Sequence, residues 1–333
     1  MSPTRTAALS LGSLAIVALL AGCGTTSDAA DAPADDAAPA DAITLQDAEG
    51  EDVVLENGPA EKVVALEWAQ AEIVQSLGIE LTGIADASGY ESWVGDAVPT
   101  LGDPADVGVR NEPSVEAIAE LEPDLIVGVP GSVPDEVREQ LERVAPILLL
   151  EPANAADPLG AVQEAVTTLA SATGREDEGE ALNAELDAKL EENAERIADV
   201  GLDGTPVVFT SPYADGGNVT IRMHGPGSAP QAVLTAMGLE PAWTDEGDAA
   251  YALSSSDIEG LTALPDDAWF LYWANADSED PVETYLGDNA VWKSLPLVEA
   301  GRVAGAADGI WVYGGPDSLM AFSDDVAGIL GAE

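Results

Sequence analysis

The sequence is poor in histidine, cysteine and positive charge. Its 333 residues include one histidine, one cysteine, and eleven lysines and arginines against 62 aspartates and glutamates, so the formal net charge is −51. One cysteine excludes internal disulfides and thiolate metal clusters, and one histidine excludes most histidine-based metal sites and a well-supported Ser-His-Asp triad. So negative a chain repels phosphate backbones, and no nucleic-acid partner is expected. We expect no cofactor and no directly bound metal; a metal that this protein handles should arrive inside a chelator.

The acidity does not indicate disorder, because apolar residues make up 46% of the chain and can form a core. At ~100–200 residues per domain, the length favours two lobes over one.

The N-terminus has the features of a targeting segment. In residues 1–22, Arg5 precedes an apolar run from Leu9 to Leu20 that is too short for a ~20-residue membrane span. The run ends in Leu20-Ala21-Gly22-Cys23, which resembles the lipobox of bacterial lipoproteins, where the cysteine thiol is acylated. We therefore predict a lipoprotein signal peptide at 1–22 and lipidation at Cys23. An ordinary secretory signal with an incidental cysteine is the alternative.

Residues 23–42 are predicted to form a solvated acidic tether, since alanine, aspartate, proline, threonine and glycine dominate them without an apolar period. The folded part is expected to begin near Ile43.

From Lys62 onward, short β-type runs alternate with helical ones, which predicts βαβ units and parallel strands. The stretch 159–200 differs, because it is rich in alanine, leucine and glutamate and has almost no β-branched runs. We predict two helices there, separated by Gly174. The predicted fold is α/β, with two Rossmann-like lobes at 43–158 and 201–333, a long interdomain helix within 159–200, and a ligand cleft between the lobes.

Two arginines stand out among the cations. Most of the others lie on predicted helices beside acids, where solvated ion pairs are expected. Arg110 and Arg222 instead fall one in each half, each at a strand–loop–helix junction, and such junctions line the ligand crevice of doubly wound sheets. A guanidinium suits the carboxylate or hydroxamate oxygens of a negatively charged ligand. Salt bridges to the abundant acids remain the alternative for both residues.

Aromatic residues form the second candidate group. Trp68 directly follows a predicted strand and Trp311 lies in a glycine-rich loop, so both are expected to be exposed and to cover a flat ligand. Tyr213 and Tyr313 are candidate hydroxyl donors at the cleft rim. The segment Trp269 to Trp273 is assigned mostly to the core, and His224 to a surface or capping position.

Several segments together resemble the ABC-importer substrate-binding proteins for ferric siderophores, ferric citrate and cobalamin. They are Val63 to Gly78 (VVALEWAQAEIVQSLG), Val107 to Ser114 continuing to Ile126, Ile221-Arg222 with Gly225 to Ser228, Trp292 to Val303 (WKSLPLVEAGRV), and Trp311 with Gly314-Gly315-Pro316. The resemblance covers roughly residues 43 to 333. It implies ligand binding between the lobes with little domain closure. It also implies docking to permease arginines through one acidic residue on each lobe, here Glu136, for which Asp135 is the alternative, and Glu259. Ordinary acids at helix N-termini are the alternative interpretation of these residues.

The predicted function is therefore non-enzymatic: the protein is expected to capture an iron(III)–siderophore, or ferric citrate, and to deliver it to an ABC permease. We expect it to be a monomer that is lipid-anchored on the extracytoplasmic face of the cell membrane. Cobalamin and haem are the alternative ligands within the same branch. A lipid-anchored hydrolase with a carboxylate pair in the cleft is the alternative of another class.

Overall fold

A computed structural model describes residues 42–215, 218–273 and 279–332. The predicted signal peptide, Cys23 and all but the last residue of the predicted tether lie outside the described residues. Within those residues, no helix combines the length and the apolar character needed to span a bilayer.

The first lobe contains nine short strands and four helices. The strands are β1 (Ile43–Gln46), β2 (Asp52–Leu55), β3 (Val63–Ala65), β4 (Gly83–Ile84), β5 (Ala105–Asp106), β6 (Gly108–Val109), β7 (Glu112–Pro113), β8 (Leu125–Gly128) and β9 (Ile147–Leu149). The helices are α1 (Trp68–Ser76), α2 (Ala87–Trp93), α3 (Val115–Glu120) and α4 (Asp135–Glu142), with a 3₁₀ turn at Pro130–Ser132. Five strands form a parallel sheet in the order β5-β4-β3-β8-β9, whereas β1-β2 and β6-β7 are antiparallel pairs.

The central strand β3 explains why the sequence here is a continuous apolar run. Val63 and Ala65 face one hydrophobic core, and Val64 faces a second core on the opposite side of the sheet. A strand buried on both faces needs apolar residues at every position.

Two helices connect the lobes, α5 (Pro158–Thr173) and α6 (Glu176–Asp199). Gly174 lies between them with φ of 66°, a left-handed conformation that glycine adopts without strain. On α6, Leu182 packs into the core of the first lobe, while Leu186 and Leu190 pack into the core of the second. The spacing of four residues places all three side chains on one face of the helix.

The second lobe is built on one six-stranded sheet. Its strands are β10 (Pro206–Asp215), β11 (Asn218–His224), β12 (Glu240–Pro241), β13 (Leu253–Ser256), β14 (Trp269–Tyr272) and β15 (Val303–Gly305). Its helices are α7 (Ala229–Ala236), α8 (Ala290–Lys293), α9 (Pro296–Glu299) and α10 (Pro316–Ile329), with a 3₁₀ segment at Gly260–Ala263 and a π-helical one at Val282–Leu286. The main strand order is β13-β11-β10-β14-β15, and β12 also pairs with β10.

The prediction of parallel pairing is wrong for β11. This strand runs antiparallel to both β10 and β13, while β10, β14 and β15 pair in parallel. Only residues 216 and 217 separate β10 from β11 in the sequence. A connection of two residues can join antiparallel strands only, because a parallel crossover needs a dozen or more.

Candidate ligand-binding cleft

A cavity of about 330 Å³ between the lobes brings together both arginines that the sequence singles out. Arg110 contributes to its lining from the first lobe, and Arg222 from the second. Trp311 and Tyr313 also contribute to its lining, and the Trp68 ring lies against the guanidinium of Arg110. Tyr213 lines a neighbouring cavity of about 480 Å³, which Arg222 lines as well.

Arg110 is held by a tight hairpin and an ion pair. It lies in the turn between β6 and β7, where Gly108 has φ of 102° and an added Cβ would lie 2.9 Å from the carbonyl oxygen of Glu112. Its Nη1 donates to Glu67 Oε2 at 3.1 Å, and its guanidinium lies 3.9 Å from the centre of the Trp68 ring. Arg110 therefore makes both the salt bridge that the sequence left as an alternative and part of the cavity wall.

Arg222 projects from β11 and remains exposed. Because Ser211 pairs with Arg222 in the β10–β11 ladder, Tyr213 lies diagonally across on the same face, and the guanidinium is 5.6 Å from its ring centre. Among the described residues, no carboxylate lies within salt-bridge distance of Arg222. Its charge is therefore free to meet a ligand.

The expectation that Trp68 is exposed is wrong. Its side chain is only 3% exposed, its Nε1 donates to the carbonyl oxygen of Ala85 at 3.2 Å, and it supports Arg110 from below. Trp68 begins α1 shortly after the central strand β3, packs in the core of the first lobe and lies with its ring centre 5.0 Å from that of Trp311. Trp311, by contrast, is partly exposed and lines the cavity directly.

Two tryptophans in the lobe junction were not identified from the sequence. Trp93 at the end of α2 packs edge-on against Trp273 just after β14, with ring centres 4.8 Å apart, and Trp311 contacts both. Trp273 belongs to the core of the second lobe, as the sequence predicts, and it also lines the neighbouring cavity. Trp93 lies on a short helix without an apolar period, so no sequence signal marked it. Trp68, Trp93, Trp273 and Trp311, which we call the tryptophan cluster, join the two lobes.

Two polar side chains in the cavity lining have buried atoms without a hydrogen-bond partner in the protein. They are the Oε1 atom of Gln70, in the first turn of α1, and the hydroxyl of Tyr313. Burial raises the pKa of Tyr313 above its ordinary value, and the positive charge of Arg222 opposes that shift. Leaving such atoms unpaired is costly, so they are groups that a ligand could satisfy.

The surface position expected for His224 is also wrong. The ring is fully buried on β11, lies 2.8 Å from the Ser211 hydroxyl and stacks near Tyr313 at 5.8 Å. Burial, with a further contribution from the charge of Arg222, lowers its pKa to about 3. His224 is therefore a neutral residue behind the cavity wall.

A family model for periplasmic binding proteins matches residues 63–308, about three quarters of the chain. The chain belongs to this periplasmic binding protein family. It is 28% identical over 262 residues to the iron(3+)-hydroxamate-binding protein FhuD of Escherichia coli, covering 78% of this chain and 84% of that protein. It is also 28% identical over 276 residues to the Fe(3+)-citrate-binding protein YfmC of Bacillus subtilis, covering 81% of this chain and 80% of that protein.

The fold of this periplasmic binding protein also matches solved structures. The crystal structure of the Fe3+–Desferal-bound siderophore-binding protein FhuD from Vibrio cholerae aligns with a TM-score of 0.67 and 25% identity, covering 81% of this chain and 97% of that one. The two α/β lobes and the helical connection predicted from the sequence are thus those of the family.

The described residues of this binding protein show no cluster of three or more histidine, cysteine, aspartate or glutamate side chains that could hold a metal ion directly. In the described lining of the 330 Å³ cavity, Glu67 is the single carboxylate, and Arg110 holds it. The carboxylate pair that a hydrolase would need is not formed there.

The two predicted docking residues lie on exposed ends of short helical segments. Glu136 is in the first turn of α4 in the first lobe, and Glu259 directly precedes the 3₁₀ segment Gly260–Ala263 in the second. Both carboxylates are accessible to a partner.

Proposed function

We propose that this protein captures an iron(III)–siderophore in the cleft between its lobes and delivers it to an ABC permease, without catalysing a reaction. The observation that carries the proposal is the meeting of Arg110 and Arg222, from opposite lobes, at one cavity. The iron is cargo held by its chelator. The relatives named for ferric hydroxamate and ferric citrate support an iron chelate over cobalamin or haem.

Within the cleft, each predicted site residue takes a physical role. Arg222 donates charge-assisted hydrogen bonds to chelate oxygens, and Trp311 covers one face of the ligand. Trp68 acts indirectly by supporting the guanidinium of Arg110. Tyr313 offers its buried hydroxyl from the lining of the 330 Å³ cavity. Tyr213 is 45% exposed and offers its hydroxyl from the neighbouring cavity.

Binding can be measured by quenching of tryptophan fluorescence, because the tryptophan cluster lies around the cleft. Ferric trihydroxamate, ferric citrate, cobalamin and haem would be titrated separately, each beside its iron-free form where one exists. We expect saturable one-to-one binding of a ferric chelate and different binding of the iron-free chelator. Saturation by cobalamin or haem alone would contradict the proposal.

We further propose that acylated Cys23 anchors the protein on the extracytoplasmic face of the membrane as a monomer. Two or more acyl chains would make anchoring stable, whereas one would be marginal. Cys23→Ala should release the protein from the membrane fraction while ligand affinity is unchanged, because Cys23 precedes the folded lobes. Fractionation of cells expressing each form measures this. A mutant that stays in the membrane through a retained apolar segment would contradict the lipid anchor.

Glu136 and Glu259 are proposed to dock onto permease arginines. The double variant Glu136→Lys/Glu259→Lys should abolish iron uptake, since each new charge would face a like charge on the permease. Ligand affinity should not change, because both residues lie outside the cavity lining. Uptake of iron-55 chelate by cells and binding by purified protein measure the two effects separately. Normal uptake by the double variant would remove these residues from docking.

A further inference from the structure

The charge of the cavity is smaller than its two arginines suggest. Glu67 Oε2 accepts hydrogen bonds from Arg110 Nη1 at 3.1 Å and from the backbone N–H of Trp68 at 3.2 Å. The Arg110 charge is therefore compensated inside the cavity. Of the charged groups that line it, Arg222 alone lacks a compensating partner among the described residues.

The rest of the lining offers neutral hydrogen-bonding groups. Gln70 is 3% exposed, and its Oε1 atom has no partner in the protein. By rotation of its amide, Gln70 can present either an acceptor or a donor to a ligand. The Tyr313 hydroxyl, which lies beside the Arg222 side chain, lines the same cavity and can likewise donate or accept.

From this arrangement we propose that the cavity selects a neutral or weakly charged chelate, rich in amide or hydroxamate groups, over a polyanionic chelate such as ferric citrate. Glu67 and Gln70 are the residues that set this specificity. The inference rests on the proposed function and names the ligand class for the same cleft.

The physical reason is the cost of removing charge from water. Each carboxylate of a polyanion needs a charged or multiply hydrogen-bonded partner once it is buried, and the cavity has one uncompensated guanidinium to offer. The Glu67 carboxylate would also repel such a ligand. Amide and hydroxamate carbonyls need one donor each, from Arg222 or Tyr313, and amide N–H groups can donate to Glu67 or Gln70.

The test compares two purified chelates at one fixed ionic strength by equilibrium dialysis with iron-55. The neutral probe is ferrioxamine E, a cyclic ferric trihydroxamate, and the polyanionic probe is ferric citrate. For the wild-type protein we expect ferrioxamine E to bind at least tenfold more tightly than ferric citrate.

The variant Glu67→Gln keeps an oxygen to accept from the Trp68 N–H but leaves the charge of Arg110 uncompensated. It should move the affinity ratio at least tenfold towards ferric citrate.

Glu120→Gln is the matched control, because it removes one exposed carboxylate on α3 of the same lobe, outside the cavity lining. It should leave the ratio unchanged. Gln70→Leu should weaken ferrioxamine E about tenfold, and a thermal melt of each variant verifies folding.

The outcomes separate the two proposals. Tighter wild-type binding of ferric citrate, or an unchanged ratio in folded Glu67→Gln, would overturn this inference while leaving the siderophore-binding function in place. Binding of neither probe to folded wild-type protein would overturn this inference, and the siderophore-binding function is overturned when the same protein also binds no ferric catecholate.

Discussion

Replacement of Arg222 by alanine is expected to weaken ferric-chelate binding by about tenfold to a hundredfold. The guanidinium has no carboxylate partner among the described residues, so its hydrogen-bonding capacity is available to the ligand. Losing one charge-assisted hydrogen bond costs ~1.5–3 kcal/mol, which corresponds to that range of affinity. Fluorescence titration of the tryptophan cluster with the cognate chelate measures the change.

Arg110→Ala should have a smaller effect on an uncharged chelate, because part of the hydrogen-bonding capacity of Arg110 is already used by Glu67. Arg143→Ala is the control for net charge: this residue pairs with Glu139 on the exposed surface of the first lobe. Arg143→Ala should bind as the wild type does. If Arg222→Ala binds the chelate as tightly as the wild-type protein, Arg222 has no part in recognition and a ligand held by other groups must be sought.

The parts of the fold that follow from local patterns could be predicted from the sequence. The all-apolar run at Val63 predicts a strand buried on both faces, and Gly174 predicts the break between α5 and α6; the structure has both features. In both cases the information lies in a few neighbouring residues. The sequence also places Arg110 and Arg222 in opposite halves, and both line one cavity, but neither lies at the predicted strand–loop–helix junction: Arg110 is in the β6–β7 turn and Arg222 is within the antiparallel strand β11.

The features that sequence reasoning missed depend on contacts between distant segments. Glu67 and Arg110 are 43 residues apart, and nothing local indicates that they form an ion pair. Trp93 and Trp273 meet only because the lobes are packed together. The burial of Trp68 also depends on residues distant in the sequence, Ala85 and Trp311. Its position just after a strand predicts that it lies at the edge of the sheet but does not indicate which residues pack over its ring.

Glu72 provides the second large expected effect, and it concerns stability. This residue of α1 is fully buried, and its carboxylate accepts hydrogen bonds from the backbone N–H and the hydroxyl of Ser318, at 2.9 and 2.8 Å, at the start of α10. Burial raises its pKa from 4.5 to about 7, the hydrogen bonds from Ser318 and Gly315 oppose the shift, and repulsion by Asp317 adds to it. The buried hydroxyl of Tyr90 is also near enough for the Glu72 charge to raise its pKa.

The direction of the pH effect follows from the two pKa values. In the unfolded chain Glu72 ionises near pH 4.5, whereas in the folded protein it keeps its proton until about pH 7. Between these values the folded state binds more protons, so the stability contributed by Glu72 is complete below pH 4.5 and is lost as the pH rises to about 7. Between pH 5 and pH 8 the loss is about 2–3 kcal/mol, since one pKa unit corresponds to ~1.4 kcal/mol.

Glu72→Gln isolates this contribution from that of the many other acids. The glutamine oxygen can accept from the Ser318 N–H and its amide can donate to the Ser318 hydroxyl, so the variant should resemble the protonated wild type at every pH. Relative to the wild type, the free energy of unfolding of Glu72→Gln should therefore rise by about 2–3 kcal/mol between pH 5 and pH 8. Urea unfolding of both proteins at constant ionic strength measures this change in the free energy of unfolding.

Glu191→Gln, at an exposed position on α6, is the control and should show no comparable pH-dependent difference from the wild type. A difference between Glu72→Gln and wild type that stays constant with pH would mean that Glu72 is ionised throughout this range and that the hydrogen bonds from α10 outweigh its burial.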